Sequence, residues 1–259
     1  MRLILIFLFI ENCALCGNKW SRLRGNNGSG VAEESTPPIK LDLNNPTWKT
    51  PVSNGHSSPV LSNKLIFLTG TEDGQLTTYA FRKKNGKLAW QSKLPKVNLE
   101  RVHQANSPAA PTPITDDKYI FVYFGSFGMV CYDHTGKEQW QKRLPVPRTL
   151  YGTSSSPIEY NNLIILVIDD DNNLPNSRLS RSKIIALKKS DGSIAWETPR
   201  PFHRSGWSTP TLWNHGKKTE LVVLGNGRLC GYTLPSGEEK WFISGFSRET
   251  ISAPIIGNG

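Results

Sequence analysis

The chain has 259 residues, with 31 Lys and Arg against 21 Asp and Glu, a net charge of +10, 10% aromatic residues, 22 Gly and 18 Pro. That aromatic content excludes a disordered chain, and the length permits one large domain or two small ones. So much Gly and Pro suits short strands joined by tight turns, not helices.

The first residues have the form of a leader. Arg2 precedes an unbroken apolar run over residues 3–10, and small Ala14 and Cys16 occupy the positions that signal peptidase reads. The run is too short to span a bilayer. Residues 1–16 are therefore expected to be a cleaved signal peptide, which makes the chain exported, periplasmic or extracellular. Leu15 stands before Cys16 where a lipid-attachment motif wants a small residue. Cleavage removes Arg2 with Glu11, so the charge stays at +10, and leaves only Cys131 and Cys230. Residues 17–47 form a polar N-terminal extension.

An internal repeat follows. NGKLAW (85–90), TGKEQW (135–140), DGSIAW (191–196) and SGEEKW (236–241) place Gly86, Gly136, Gly192 and Gly237 four residues before Trp90, Trp140, Trp196 and Trp241. A polar residue followed by Gly supplies the positive φ of a tight hairpin turn. The strand after the turn presents a Trp that can bury its ring and keep its N–H on an acceptor. Two strands precede each turn: a strongly apolar one (LIFLT, YIFVYF, LIILVI, LVVL) and a small-residue one (TTYAF, MVCYD, IIALK, LCGYT). Each unit opens at a Ser/Thr-Pro step, at Pro59, Pro113, Pro157 and Pro210. The unit thus has four strands, with the second expected to be fully buried, and repeated four-stranded units of this length predict an all-β propeller.

The alignment sets Cys131 beside Ala80, Ala186 and Gly231, a small-residue position. Cys230 is one residue out of register and so on the opposite face of its strand. Both are read as small core hydrophobes and not as a disulfide. Trp48, in TWKTP, behaves as a fifth repeat Trp with no unit before it, placed to complete a last blade. At the other end, SAPIIGNG (252–259) puts Pro254 44 residues after Pro210, the same interval that separates Pro113 from Pro157. The expected array is four blades (48–98, 99–148, 149–202, 203–247) and the start of a fifth (248–259). It would be part of a ring of about seven or eight blades whose remainder belongs to a longer reading frame or was lost by truncation.

The G-K-x-x-W units and Ser-x-Pro openings resemble the pyrroloquinoline-quinone (PQQ) repeat propellers, which include quinoprotein alcohol dehydrogenases and BamB-type outer-membrane assembly proteins. The resemblance runs from about Trp20 to the end. The segment WSRLRGNNGSG (20–30), GHSSPV at Gly55 and HQANSPAAPTP at His103 look like a secreted bacterial subgroup. For an enzyme the resemblance implies PQQ over a vicinal Cys-Cys pair, a Glu/Asn set on calcium and a catalytic Asp. The sequence holds no such Cys pair, and no calcium ligands map onto it. No catalytic, metal or cofactor-binding residue is therefore assigned, and no cofactor is expected, PQQ with calcium being the alternative.

Three further patterns bear on function. Asp169, Asp170 and Asp171 open the longest insertion, but without calcium-loop spacing, and are read as a solvated loop with its own charge balance. Arg24, His56, His103, Asn106, Arg200 and Trp207 are the residues expected to line a polar pocket on one face of the ring. The lysine and arginine doublets sit on hairpin tips and carry no nucleic-acid signal. The function expected is a non-catalytic extracytoplasmic scaffold that holds a protein, small molecule or polysaccharide on a propeller face. The alternatives are a PQQ- and calcium-dependent alcohol dehydrogenase or a BamB-type assembly component.

Overall fold

The computed structural model describes residues 20–26, 28–32, 39, 40, 42 and 44–257. The leader expected over 1–16 lies outside the described residues.

Sixteen strands form four antiparallel sheets of four, each in chain order. Blade 1 is β1 (Val60–Leu61), β2 (Leu65–Glu72), β3 (Gln75–Arg82) and β4 (Leu88–Lys93). Blade 2 is β5 (Ile114–Thr115), β6 (Tyr119–Phe124), β7 (Gly128–Asp133) and β8 (Glu138–Arg143). Blade 3 is β9 (Ile158–Tyr160), β10 (Leu163–Ile168), β11 (Lys183–Lys188) and β12 (Ile194–Pro199). Blade 4 is β13 (Thr211–His215), β14 (Lys218–Gly225), β15 (Arg228–Thr233) and β16 (Glu239–Ser244). Among the described residues the four sheets do not close into a ring.

The third-to-fourth strand turns are built as their residues dictate. Asp133 Oδ1 accepts from the backbone N–H of Thr135 (2.8 Å) and Lys137 (3.1 Å), and Asn85 and Asp191 cap their own turns in the same way. The following glycines take left-handed φ values of 65° to 92°. Each repeat Trp pairs across the sheet with the small residue of the third strand: Ala80 with Trp90, Cys131 with Trp140, Ala186 with Trp196, Gly231 with Trp241. A register shift follows each of these pairs on the third strand.

Side chains alternate along each central strand, so each blade packs against both neighbours. On β6, Ile120, Val122 and Phe124 face blade 1, whereas Phe121 and Tyr123 face blade 3. The core is accordingly three apolar seams, one between each pair of successive blades. Every side chain of β10 is buried, but on β2 Ile66 and Leu68 are only half-buried. The expectation of a fully buried second strand fails there because blade 1 has a neighbouring blade on one side only among the described residues. Cys131 lies in the seam between blades 2 and 3, and Cys230 in that between blades 3 and 4, both as buried free thiols.

Trp90, Trp140 and Trp196 each dock on the turn of the next blade. A Cβ on Gly136 would lie 2.8 Å from the Trp90 ring, one on Gly192 2.5 Å from Trp140, and one on Gly237 2.4 Å from Trp196. The indole N–H of Trp90 donates to His134 O and that of Trp140 to Lys189 O, each at 2.9 Å. Trp48 does the same to blade 1, with its ring on Gly86 and its N–H on Lys83 O at 3.2 Å. Residues 46–50 around it are not in a strand, so Trp48 docks as a repeat Trp without being sheet-paired.

Nearer the axis, hydroxyls join the blades. The residue before each opening Pro donates its N–H to the hydroxyl at the same place in the next unit: Ser58 to Thr112 (2.9 Å), Thr112 to Ser156 (3.0 Å) and Ser156 to Thr209 (3.0 Å). Hydroxyls also donate to the carbonyls of the next unit, Ser155 Oγ to Ser208 O (2.9 Å) and Ser208 Oγ to Ser252 O (3.0 Å), and Thr211 Oγ1 donates to Pro254 O (2.7 Å).

Two glycines with similar φ separate backbone strain from docking. At Gly74 (φ +74°) a Cβ meets nothing within 4 Å, whereas at Gly86 (φ +65°) it would lie 2.4 Å from Trp48. Gly74→Ala is expected to cost about 1–2 kcal/mol for the left-handed backbone. Gly86→Ala should cost about 2–5 kcal/mol because the clash adds to it. Urea unfolding of the two variants checks this, and equal losses would contradict the docking account.

Candidate functional site

The loops between blades and the turns between second and third strands lie at one end of the array, here termed the loop face. Backbone bonds tie them together, as from Leu144 N to Phe127 O and from Asp171 N to Arg148 O.

Three residues expected in a polar pocket meet here, around Tyr151. The backbone N–H of His103 and the amide of Asn106 both donate to Tyr151 O, at 3.1 and 2.9 Å. The His103 ring stands edge-on to the Tyr151 ring at 5.5 Å, and the Trp207 ring lies 5.1 Å from it on the other side. The Trp207 N–H donates to Gly152 O at 2.9 Å. Trp207 is buried, but Tyr151 is 36% exposed, Leu150 beside it 60%, and Phe202 on the next loop 62%. Leu150 and Tyr151 stand outermost on this loop and Phe202 on the next, as the exposed apolar groups of a loop-face platform.

The other three expected residues lie elsewhere. His56 is exposed and makes its contact through its backbone N–H, to Ala109 O at the seam of blades 1 and 2. Arg24 belongs to the N-terminal segment, where its guanidinium donates to Ser29 O at 3.1 Å. Arg200 is only 1% exposed, between blades 3 and 4.

Arg200 organises a buried polar network. Its Nη1 pairs with Asp169 Oδ1 at 2.6 Å, its Nε donates to Tyr232 Oη at 3.1 Å, and its Nη2 lies 3.1 Å from His203 Nδ1. Because a guanidinium only donates, His203 Nδ1 accepts, and the ring carries its proton on Nε2, 3.6 Å from Cys230 Sγ. Gly225 makes room for this network, since a Cβ there would lie 2.3 Å from His203 and 2.4 Å from Arg200.

The three consecutive aspartates are not a solvated cluster. Asp169 pairs with Arg200. Asp170, also buried, accepts from the N–H groups of Arg148 (3.2 Å) and Asn172 (2.8 Å). Asp171 accepts from Ser205 N at 2.8 Å and from the Ser205 hydroxyl. The insertion is anchored through these carboxylates because its backbone must satisfy its polar groups at a buried seam. One oxygen each of Asp169 and Asp170 and both of Asp171 are engaged by protein donors, and the two cysteines sit in different blades. Among the described residues no three His, Cys, Asp or Glu side chains gather to hold a metal ion.

Sequence reasoning missed Tyr151, which precedes Pro157 by six residues in a loop with no repeated pattern. It also missed Arg22, two residues before the chosen Arg24. Arg22 is 7% exposed, at the start of a turn that follows the bridge at Trp20.

His203 gives the network a pH signature. Burial, then the Arg200 charge, holds its imidazole down at about 3. The unfolded chain takes up a proton near 6.5 that the folded one refuses. Stability present above pH 6.5 is therefore lost as pH falls towards 3. Burial pushes the Asp169 carboxyl up to about 6 despite Arg200, so Asp169 acts oppositely and stabilises as pH falls from 6 towards the unfolded value. Between pH 6.5 and 5 the wild type should lose about 2 kcal/mol more than His203→Gln. Urea titrations at the two pH values check this, and parallel losses would contradict it.

A family model described as outer membrane protein assembly factor BamB matches residues 39–148 and 79–255, most of the chain. No curated protein matches. Among solved structures, the quinohemoprotein alcohol dehydrogenase from Comamonas testosteroni is similar with a TM-score of 0.61 and 11% identity, over 90% of this chain and 42% of that one. A europium-containing methanol dehydrogenase gives 0.58 and 16%, over 76% of this chain and 44% of that one. BamB from Moraxella catarrhalis gives 0.49 and 15%, over 80% of this chain and 56% of that one. The chain thus spans roughly half the length of these structures.

Proposed function

The chain belongs to the PQQ-repeat β-propeller family, and from that premise we propose that it is a non-catalytic, extracytoplasmic scaffold that holds a partner protein on its loop face. The observation that carries this reading is the platform of Leu150, Tyr151 and Phe202. These large apolar groups are exposed at 60%, 36% and 62%, on loops fixed from below by His103, Asn106 and Trp207. Rigid, exposed aromatic and aliphatic anchors are what a protein interface uses, because little side-chain entropy is lost on docking. The family model's description as an outer-membrane assembly factor supports a protein as the occupant. The leader-like residues 1–16 support export. The likeness to dehydrogenases, at 11% and 16% identity, carries the fold alone.

The test is photo-crosslinking in cells that export the full chain. A crosslinker at Leu150 or Phe202 should give one discrete protein adduct, and one at Lys64, on the opposite end, none. Tyr151→Asp should lower the adduct yield about tenfold. The reading fails if the chain binds PQQ, oxidises alcohols in a calcium-dependent, dye-linked assay, and gives no adduct.

A further inference from the structure

At the end of the array opposite the loop face, the N-terminal segment lies across the inner strands. Trp20 pairs with Leu61 of β1 through two backbone bonds, of 3.2 and 2.8 Å, and Ser21 O accepts from Thr115 N of β5 at 2.9 Å. The segment then coils on itself. Gly25 N donates to Arg22 O and Gly28 N to Gly25 O, both at 3.0 Å, while Asn26 Oδ1 accepts from Ser21 N at 3.0 Å. Gly28 takes φ +73°, and a Cβ there would come within 3.2 Å of Arg22 Nη2. Glycine thus lets the backbone close over the Arg22 guanidinium.

The coil, β13 and the segment after Ser252 border an open cavity of about 470 Å³, lined among others by Arg22, Asn26, Thr211, Leu212, Asn214 and Ile256. That volume suits a small molecule. Its lining combines polar Arg22, Asn26, Thr211 and Asn214 with apolar Leu212 and Ile256. Asn214 Oδ1 already accepts from Thr219 Oγ1 at 2.7 Å, which leaves its NH₂ as the donor.

Arg22 is the unusual element. Its side chain is buried, its Nε donates to Asn26 O at 3.1 Å, and no carboxylate of the described residues forms an ion pair with it. Desolvation lowers its pKa, and the charge of Glu159, acting through space, does not make up the difference. A buried guanidinium with no ion pair among the described residues is costly to maintain, and it is suited to a planar carboxylate or a phosphate.

We propose that this cavity binds a small amphipathic organic anion, with its carboxylate or phosphate head on Arg22 and its apolar body against Leu212 and Ile256. The site is separate from the loop-face platform, so it stands or falls independently of the scaffold reading.

Isothermal titration of the full chain with hexanoate, hexyl phosphate, hexanol and hexylamine tests it. At least one anion should bind saturably and about tenfold or more tighter than hexanol or hexylamine. The tighter of the two anions identifies the head group. Arg22→Gln should reduce anion binding to the level of hexanol. Ile256→Trp, which fills the cavity and leaves Arg22 in place, should abolish anion binding without moving the unfolding midpoint. The second variant decides the matter if the first disturbs the coil. Equal binding of hexanol, unchanged anion binding in both variants, or no saturable binding up to about 10 mM would overturn the proposal.

Discussion

The array depends on one repeated contact, an indole ring lying on the turn glycine of the following blade. The contact needs two things at once, and a third completes it at three of its four occurrences. The turn residue must tolerate left-handed φ and must have no Cβ, and a carbonyl within reach of the indole N–H adds a hydrogen bond. Gly86, Gly136, Gly192 and Gly237 meet the first two needs. Lys83, His134 and Lys189 supply the carbonyls for Trp48, Trp90 and Trp140. Trp196 keeps the ring contact but leaves its buried N–H without a partner among the described residues. Trp241 has no described turn ahead of it and lies back over its own blade. Its ring covers Gly231, and its N–H donates to Glu220 at 2.7 Å. Trp241 thus differs twice from Trp90, Trp140 and Trp196, in having no described turn ahead of it and in facing a glycine on its own sheet where they face Ala or Cys.

The outer Trp contacts and the inner hydroxyl ladder together explain where chemistry can reside. Seams consume polar groups. Ser58, Thr112, Ser156 and Thr209 are joined in series, Asp169 and Arg200 hold each other, and Asp170 and Asp171 pin loops. What remains lies at the two ends of the array: apolar groups raised on fixed loops at one, and a buried cation beside a cavity at the other. A seam of this kind adds blades without altering either end, so the fold's stability and its binding surfaces can vary separately.

The period of Gly and Trp made the four blades legible, because hairpin turns and a large ring at fixed spacing are local demands of the backbone and the core. The small residue opposite each Trp was legible for the same reason. What the spacing concealed is that the glycine answers to the Trp of the preceding unit, a contact between units that no single repeat encodes. The site was less legible. His103, Asn106 and Trp207 lie just upstream of Ser/Thr-Pro steps and could be grouped, but Tyr151, on which they converge, sits in a loop of irregular length. Arg200 was grouped with them because its burial between blades 3 and 4 depends on Asp169 and Tyr232, 31 and 32 residues away. Arg22 escaped notice because nothing in the extension reveals that it folds against β13.

The most direct measurement of the central contact is a double-mutant cycle between Trp140 and Gly192, followed by urea unfolding. If the ring rests on the glycine, Gly192→Ala should cost markedly less in a Trp140→Ala background than in the wild type, with a coupling of about 1–3 kcal/mol. Additive losses, with no coupling beyond about 0.5 kcal/mol, would mean that the two residues do not meet and would contradict the account.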